Sequence, residues 1–262
     1  MNMELSIIKI GGNIIDDEVK LGAFLDAFAA VPGKKILVHG GGKLATKVAE
    51  GLGIRQRLVD GRRITDAETL KVVTMVYAGT INKNIVAQLQ ARDCDAIGLT
   101  GADGNSIRAH KRVHVEIDYG FVGDVDSVDA AFITGLLMLE KAIVFAPITH
   151  DGRGLLLNTN ADTIAQELAR GLGRSFDVSL VYSFEKSGVL RDAEDDSSVI
   201  RLIGPAEYQE LKARQLIFAG MIPKLDNAFA ALRNGVGRVI IGRAEELALL
   251  LAGTAGTTIV NE

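Results

Sequence analysis

Apolar residues follow two rhythms along this chain. Short solid runs at 4–10, 35–39, 95–99, 142–147, 178–182 and 238–241 read as strands buried on both faces. Elsewhere apolar positions recur every three or four residues, which predicts helices over 17–30, 43–52, 66–91, 128–140, 161–171, 206–216, 224–234 and 244–251. Alternation of this kind predicts an α/β fold, a largely parallel sheet with helices on both faces. Two stretches break the rhythm. Residues 106–126 alternate short β-like pieces around Tyr119-Gly120 and predict a hairpin excursion, and Asp60-Gly61 within 54–64 marks a tight turn. The acidic stretch 192–196 reads as a solvated loop.

One polar residue is out of place in this pattern. Lys9 interrupts the run Ile7-Ile8-Lys9-Ile10 just ahead of Gly11-Gly12. A buried ammonium is costly without a partner or a task. In open α/β sheets ligands bind outside the carboxyl ends of the strands, and Lys9 stands at such an end. So does His39-Gly40-Gly41-Gly42, after the second strand. Backbone N–H groups of such loops, helped by the following helix N-terminus, can hold an anion. The plainer alternative is a tight turn that needs positive φ. The run through Lys43 is no Walker A loop, because the first-glycine spacing and the Ser/Thr after the lysine are absent. No G-x-S-x-G accompanies HGGG, so an α/β-hydrolase oxyanion loop is excluded. No G-x-G-x-x-G follows the first strand, which disfavours a dinucleotide-binding dehydrogenase.

Three further signals sit at predicted helix starts. In Leu157-Asn158-Thr159-Asn160-Ala161-Asp162, Asn160 falls at an N-cap and Asp162 in the first turn; capping and dipole complement account for both without a ligand. In Gly220-Met221-Ile222-Pro223-Lys224, Pro223 opens a helix and Lys224 lies in its first turn. A cation there opposes the helix dipole by about 0.3–1 kcal/mol, so a bound anion would explain it, with a solvated lysine near Asp226 as the alternative. In Gly61-Arg62-Arg63-Ile64-Thr65-Asp66, either arginine can fork onto a carboxylate, and physics alone does not separate them.

Bulk properties narrow the setting. At 262 residues the chain is near the upper limit for one core. A net charge of −4 disfavours a general nucleic-acid or membrane-surface role. The single cysteine, Cys94, cannot form an internal disulfide and reads as a core thiol, which suits a reducing cytoplasm. The four scattered histidines give no zinc pattern. The N-terminus shows no signal peptide.

The motifs IIKIGGN, LVHGGGK, DGRRIT, AGTINKNIVAQL, GLTGADG, VGDV, LNTNAD and GMIPKLDNAF, in this order from about residue 6 to 260, resemble the amino-acid kinase family, in its branch that phosphorylates N-acetylglutamate. The resemblance implies a three-layer αβα sandwich around a mainly parallel eight-stranded sheet. It implies a single domain, 1–262, with an acyl-glutamate lobe over about 1–170 and a nucleotide lobe over about 171–262. It implies transfer of a phosphoryl group from ATP, with Mg2+ held mainly by the nucleotide phosphates, to the side-chain carboxylate of N-acetyl-L-glutamate. N-succinyl-L-glutamate is the alternative acceptor, and a catalytically silent sensor on the same fold is a reading of another class. Carried over residue by residue, Lys9 and Lys224 are expected to stabilise the transferring group and Asp162 to orient them. Gly41, Gly42, Arg63 and Asn158 are expected to hold the acceptor, which selects Arg63 over Arg62. Gly11 and Gly12 are expected near the phosphates. Ser183 and Gly188 are expected on the nucleotide side, within contacts near 181–190 and 215–224. The match departs at Tyr182-Ser183-Phe184-Glu185-Lys186-Ser187-Gly188, where relatives carry an aspartate in a shorter turn; Glu185 is the candidate substitute. The start close to the first strand, without the extra N-terminal helix of arginine-inhibited hexamers, implies a homodimer with little arginine feedback.

Overall fold

The computed structural model describes residues 3–261 except 60–61, 193, 215 and 218–220. Asp60-Gly61, the expected tight turn, lies outside the described residues. Fourteen strands are described: β1 (Met3–Ile10), β2 (Lys34–His39), β3 (Arg57–Val59), β4 (Arg62–Ile64), β5 (Ala96–Leu99), β6 (Ile107–Lys111), β7 (Gly123–Val128), β8 (Ala142–Phe145), β9 (Ile148–His150), β10 (Leu156–Asn158), β11 (Phe176–Phe184), β12 (Leu202–Ile203), β13 (Arg238–Arg243) and β14 (Thr257–Ile259). The α-helices are α1 (Gly12–Ile15), α2 (Glu18–Ala29), α3 (Gly42–Gly51), α4 (Ala67–Thr74), α5 (Asn82–Gln90), α6 (Ala130–Met138), α7 (Ala161–Leu172), α8 (Pro205–Ala213), α9 (Ile222–Arg233) and α10 (Leu247–Leu251).

The main sheet has eight strands in the order β12-β14-β13-β11-β1-β2-β8-β5. All its pairings are parallel except β13 with β14. All six strands expected from the apolar runs lie in this sheet. The two not foreseen, β12 at one edge and β14 beside it, have two and three residues, too short to carry a periodic signal. The expected 106–126 hairpin forms as β6 and β7, in a separate four-stranded sheet, β10-β9-β6-β7, whose other pair was not anticipated.

The helices cover both faces of the main sheet and divide the core in two. Leu5 and Ile7 of β1 join one cluster with α6, α7 and α9; Ile8 and Ile10 join the other with α2, α3, α5 and α10. The pleat alternates side chains between faces, so Lys9 follows Leu5 and Ile7 onto the α7–α9 face. The expected helix over 66–91 runs continuously but not as one α-helix. Between α4 and α5 it widens to a π-helix over Met75–Ile81, a rare form frequent at functional sites.

Candidate functional site

The carboxyl ends of β1 and β2 open on a cleft of about 250 Å³, lined by both glycine loops, Lys9, Arg63, Tyr77 and 158–162. Gly40 N–H donates to the Ile10 carbonyl (3.2 Å), so the two loops are stitched together at their strand ends. Gly41 has φ +143°, and a Cβ there would lie 2.2 Å from Ile81 Cδ1 and 3.3 Å from the Tyr77 ring. This position therefore requires glycine. It also opens α3, which leaves the first amides of that helix beside the cleft.

Lys9 meets Asp162 at 2.8 Å, and their side chains are 17% and 32% exposed. Asn160 places Asp162. Its Oδ1 accepts from Asp162 N–H (2.7 Å) and Thr163 N–H (3.3 Å), the N-cap expected of it. Buried Ile164, Ala165, Leu168, Ala169 and Leu172 then fix α7 against the sheet. Lys224 lies in the first turn of α9, which carries Pro at its start. Burial pushes the Lys224 amine below the usual lysine range, the nearby charge of Lys9 pushes it further, and Asp162 opposes both. The two lysines and the aspartate thus share one electrostatic site. Helices α7 and α9 reach it from the same face of the sheet, where the pleat points Lys9.

Arg63 is buried, at 8% exposure. Its guanidinium donates to the Gly42 carbonyl (2.9 Å), Thr46 Oγ1 (2.8 Å) and Gln56 Oε1. Asn158 Nδ2 donates to Thr65 Oγ1 (2.9 Å), whose hydroxyl donates to the Arg63 carbonyl (3.1 Å). Gly41, Gly42, Arg63 and Asn158 therefore converge on one bank of the cleft. Arg62 lines the cleft too, with Arg112. Arg112 is forked onto Asp124, with Nε 3.0 Å from both carboxylate oxygens. That pairing, with Arg62 nearby, holds the Asp124 carboxyl below its usual range. Tyr77, Thr65 and Arg112 were not anticipated. Tyr77 falls in an ordinary helical stripe, and only the fold shows that this turn of the helix faces a glycine loop.

Ser183, one residue before the end of β11, stands in register with Ile10. Its hydroxyl is buried and has no hydrogen-bond partner among the described residues. Gly188 packs where a Cβ would come within 2.7 Å of Thr257 Oγ1 and 2.9 Å of Val199 Cγ1. Glu185 accepts from the Asn13 amide, and Asn13 Oδ1 accepts from Lys43. Part of the expected nucleotide segment, at 215 and 218–220, lies outside the described residues.

The model of the amino acid kinase family matches residues 4–243. The chain belongs to the amino acid kinase family. Within it, the chain is 57% identical over 260 residues to an acetylglutamate kinase of Cytophaga hutchinsonii, covering 98% of each. It is 56% identical over 247 residues to an acetylglutamate kinase of Phocaeicola vulgatus, covering 94% of this chain and 96% of that one. The carbamate kinase of Giardia lamblia bound to AMP-PNP superposes with a TM-score of 0.67 over 100% of this chain and 99% of the other, at 15% identity. At that identity the likeness is one of fold, and it fits an amino acid kinase sheet with an open carboxyl edge.

Proposed function

We propose that this chain is an acetylglutamate kinase. It moves the terminal phosphoryl group of ATP to the side-chain carboxylate of N-acetyl-L-glutamate, giving N-acetyl-L-glutamyl 5-phosphate, the second step of arginine biosynthesis. The observation that carries the reading is the Lys9–Asp162–Lys224 constellation beside two glycine loops at the open edge of the sheet. The full-length relatives at 56–57% identity support the acceptor.

The chemistry suits these residues. The acceptor carboxylate, with an ordinary pKa near about 4.3, is ionised at neutral pH, so no general base is required. What remains is to bring two anions together and to stabilise the charge of an in-line phosphoryl transfer. Lys9 and Lys224 supply that positive charge from a strand end and a helix start. Asp162 holds them at one place and offsets their repulsion. Arg63 and Asn158, with the amides of Gly41 and Gly42, hold the acceptor in line. The amides of Gly11 and Gly12 face the phosphates, and Ser183 and Gly188 belong to the nucleotide bank. Asp162 is already engaged by Lys9, so the donor set suits a magnesium ion carried in on the nucleotide phosphates. There it neutralises phosphate charge. The setting proposed is a cytoplasmic homodimer, with residues to about 170 serving the acceptor and the remainder the nucleotide; no described helix is long and apolar enough to cross a membrane.

The deciding experiment is ADP release from Mg-ATP by purified protein, with N-acetylglutamate and N-succinylglutamate in parallel. Faster turnover with N-acetylglutamate is expected. Preference for N-succinylglutamate would point to Arg62 and Arg112, the two cleft arginines against the single charge of Asp124. Absence of turnover with both would overturn the kinase reading in favour of a sensor.

A further inference from the structure

Behind the second glycine loop lies a chain of buried polar contacts that the phosphoryl-transfer chemistry does not use. His39, at the end of β2, is fully buried. Its Nδ1 lies 2.8 Å from the Gly40 carbonyl and its Nε2 lies 3.3 Å from Asn82 Nδ2. A carbonyl only accepts, so Nδ1 carries the proton and Nε2 is left as an acceptor for the Asn82 amide. Asn82 also donates to the Val144 carbonyl of β8 (2.9 Å). Its own Oδ1 accepts from Lys83 Nζ (3.1 Å), and Lys83 donates to the Gly98 carbonyl of β5 (2.8 Å). Burial pushes the imidazole pKa down to about 4, so this arrangement of protons persists across the neutral range.

The π-helical turn aims these residues. Tyr77 and Ile81 touch the place where a Cβ on Gly41 would be, and Asn82 reaches His39. An α-helix advances about 100° per residue, which would put Asn82 about 140° round the axis from Tyr77. The wider i→i+5 turn advances about 80° per residue and brings Asn82 within about 50° of Tyr77. One helix surface can then press an aromatic ring on Gly41 and hand an amide to His39, two residues before it.

We propose that His39 and Asn82, aimed by the π turn Met75–Ile81, form a positioning unit. It holds the Gly40 carbonyl back, so that Gly41 and Gly42 present a fixed surface to the acceptor. In its link to the acceptor this rests on the kinase reading above. His39 is a positioning residue, since it touches the loop and not the substrate.

The test compares His39→Asn with His39→Leu in the full-length protein. An asparagine amide lies near the place of Nδ1 and keeps a donor for the Gly40 carbonyl; leucine keeps none. The first readout is amide exchange in the segment 38–46, where Gly40 N–H reports its bond to Ile10. His39→Leu is expected to raise exchange about tenfold, as for one lost buried hydrogen bond, and His39→Asn by less than about threefold. The second readout is calorimetric binding of N-acetylglutamate, whose Kd should follow the exchange and not the melting temperature. If His39→Leu does not fold, Lys83→Met serves. Lys83 is exposed and orients the Asn82 amide while its other bond goes to Gly98, outside the segment read, so a rise of about two- to fivefold is expected in the same segment. Wild-type exchange in His39→Leu or Lys83→Met would overturn the proposal. So would equal rises in both His39 variants that simply track lost stability. Exchange reads the loop whatever the acceptor is, so failure of the positioning unit and failure of the kinase reading are distinguishable.

Discussion

The two banks of the cleft are finished to different degrees. On the acceptor bank the polar groups already hold one another. Arg63 is tied to the Gly42 carbonyl and Thr46, Asn158 to Thr65, and Thr65 back to the Arg63 carbonyl. On the side proposed for the nucleotide, Ser183 keeps a buried hydroxyl without a hydrogen-bond partner among the described residues, and burial first and Lys9 second push the Lys224 amine down against the opposing charge of Asp162. A preassembled bank lowers the ordering cost of binding a small acceptor. An ammonium held below the usual lysine range by burial and by a second ammonium gains when an anion arrives, and more still when charge develops in a transition state. On the proposed reading the acceptor is positioned by structure, and the phosphoryl group is stabilised by the charge of Lys9 and Lys224.

That contrast breaks first, and hardest, at the lysines. Lys9→Met and Lys224→Met are each expected to lower kcat by roughly 10²–10⁴-fold, while KM for the acceptor changes by less than about threefold. Steady-state kinetics with both substrates varied would show the split. Near-normal turnover in either variant would remove that lysine from the chemistry.

Gly41 tests the opposite bank. Gly41→Ala forces a side chain into φ +143° and into Ile81, at about 1–3 kcal/mol of strain. The loop must move, so KM for the acceptor should rise about tenfold, with kcat falling less. Melting should drop by about 2–4 °C per kcal/mol in a chain this size. A larger effect on kcat than on acceptor KM would mean that this loop serves the transferring group first.

The charge balance can be sharpened through pH. In the proposed mechanism Lys224 acts protonated, so kcat is expected to fall as pH rises through its pKa. That pKa already lies below the ordinary value, from burial first and from Lys9 second, and Asp162 is the group that raises it. Asp162→Asn removes the raising influence and leaves the two lowering ones. The alkaline limb of the kcat profile should therefore move to lower pH, on top of a reduced rate. A limb that stays in place would mean that Asp162 acts on Lys9 alone.

Much of this was legible in the sequence for a physical reason. Strands buried on both faces must be solid apolar runs, so all six long sheet strands announce themselves. Asn160 and Pro223 obey local rules of helix starts, which place Asp162 and Lys224 before any tertiary contact is known. What was illegible depends on contacts distant in sequence. The π turn over Met75–Ile81 looks like ordinary amphipathic helix until Gly41 is packed against it. His39 reads as one more residue of HGGG until Asn82, 43 residues away, is seen to bond it. The convergence of Arg62 with Arg63 at the cleft is likewise a product of the β3–β4 pairing, which brings Arg62 opposite Val59 and Arg63 opposite Leu58.

The smallest expected effect concerns the turn after β11. Glu185 is exposed and reaches Asn13, which in turn reaches Lys43 at the start of α3. The bridge thus links the turn after β11 to both glycine loops, at the edge of the cleft. Two physical causes could hold it. If attraction between Glu185 and Lys43 matters, it acts at exposed sites and is screened within about 8–10 Å at ordinary salt. If the hydrogen bond to Asn13 matters, it is worth about 0.5–1.5 kcal/mol and is insensitive to salt. Glu185→Gln removes the charge and keeps an acceptor; Asn13→Ala removes the bond and keeps the charge. We expect Glu185→Gln to leave KM for ATP within about twofold, and Asn13→Ala, which also loses the exposed bond to Lys43, to raise it by about three- to tenfold, at least the conversion of one such bond. Measuring both at low and high salt separates the causes. A salt-dependent loss in Glu185→Gln larger than that in Asn13→Ala would show the nucleotide bank to be held by charge, like the phosphoryl group it faces.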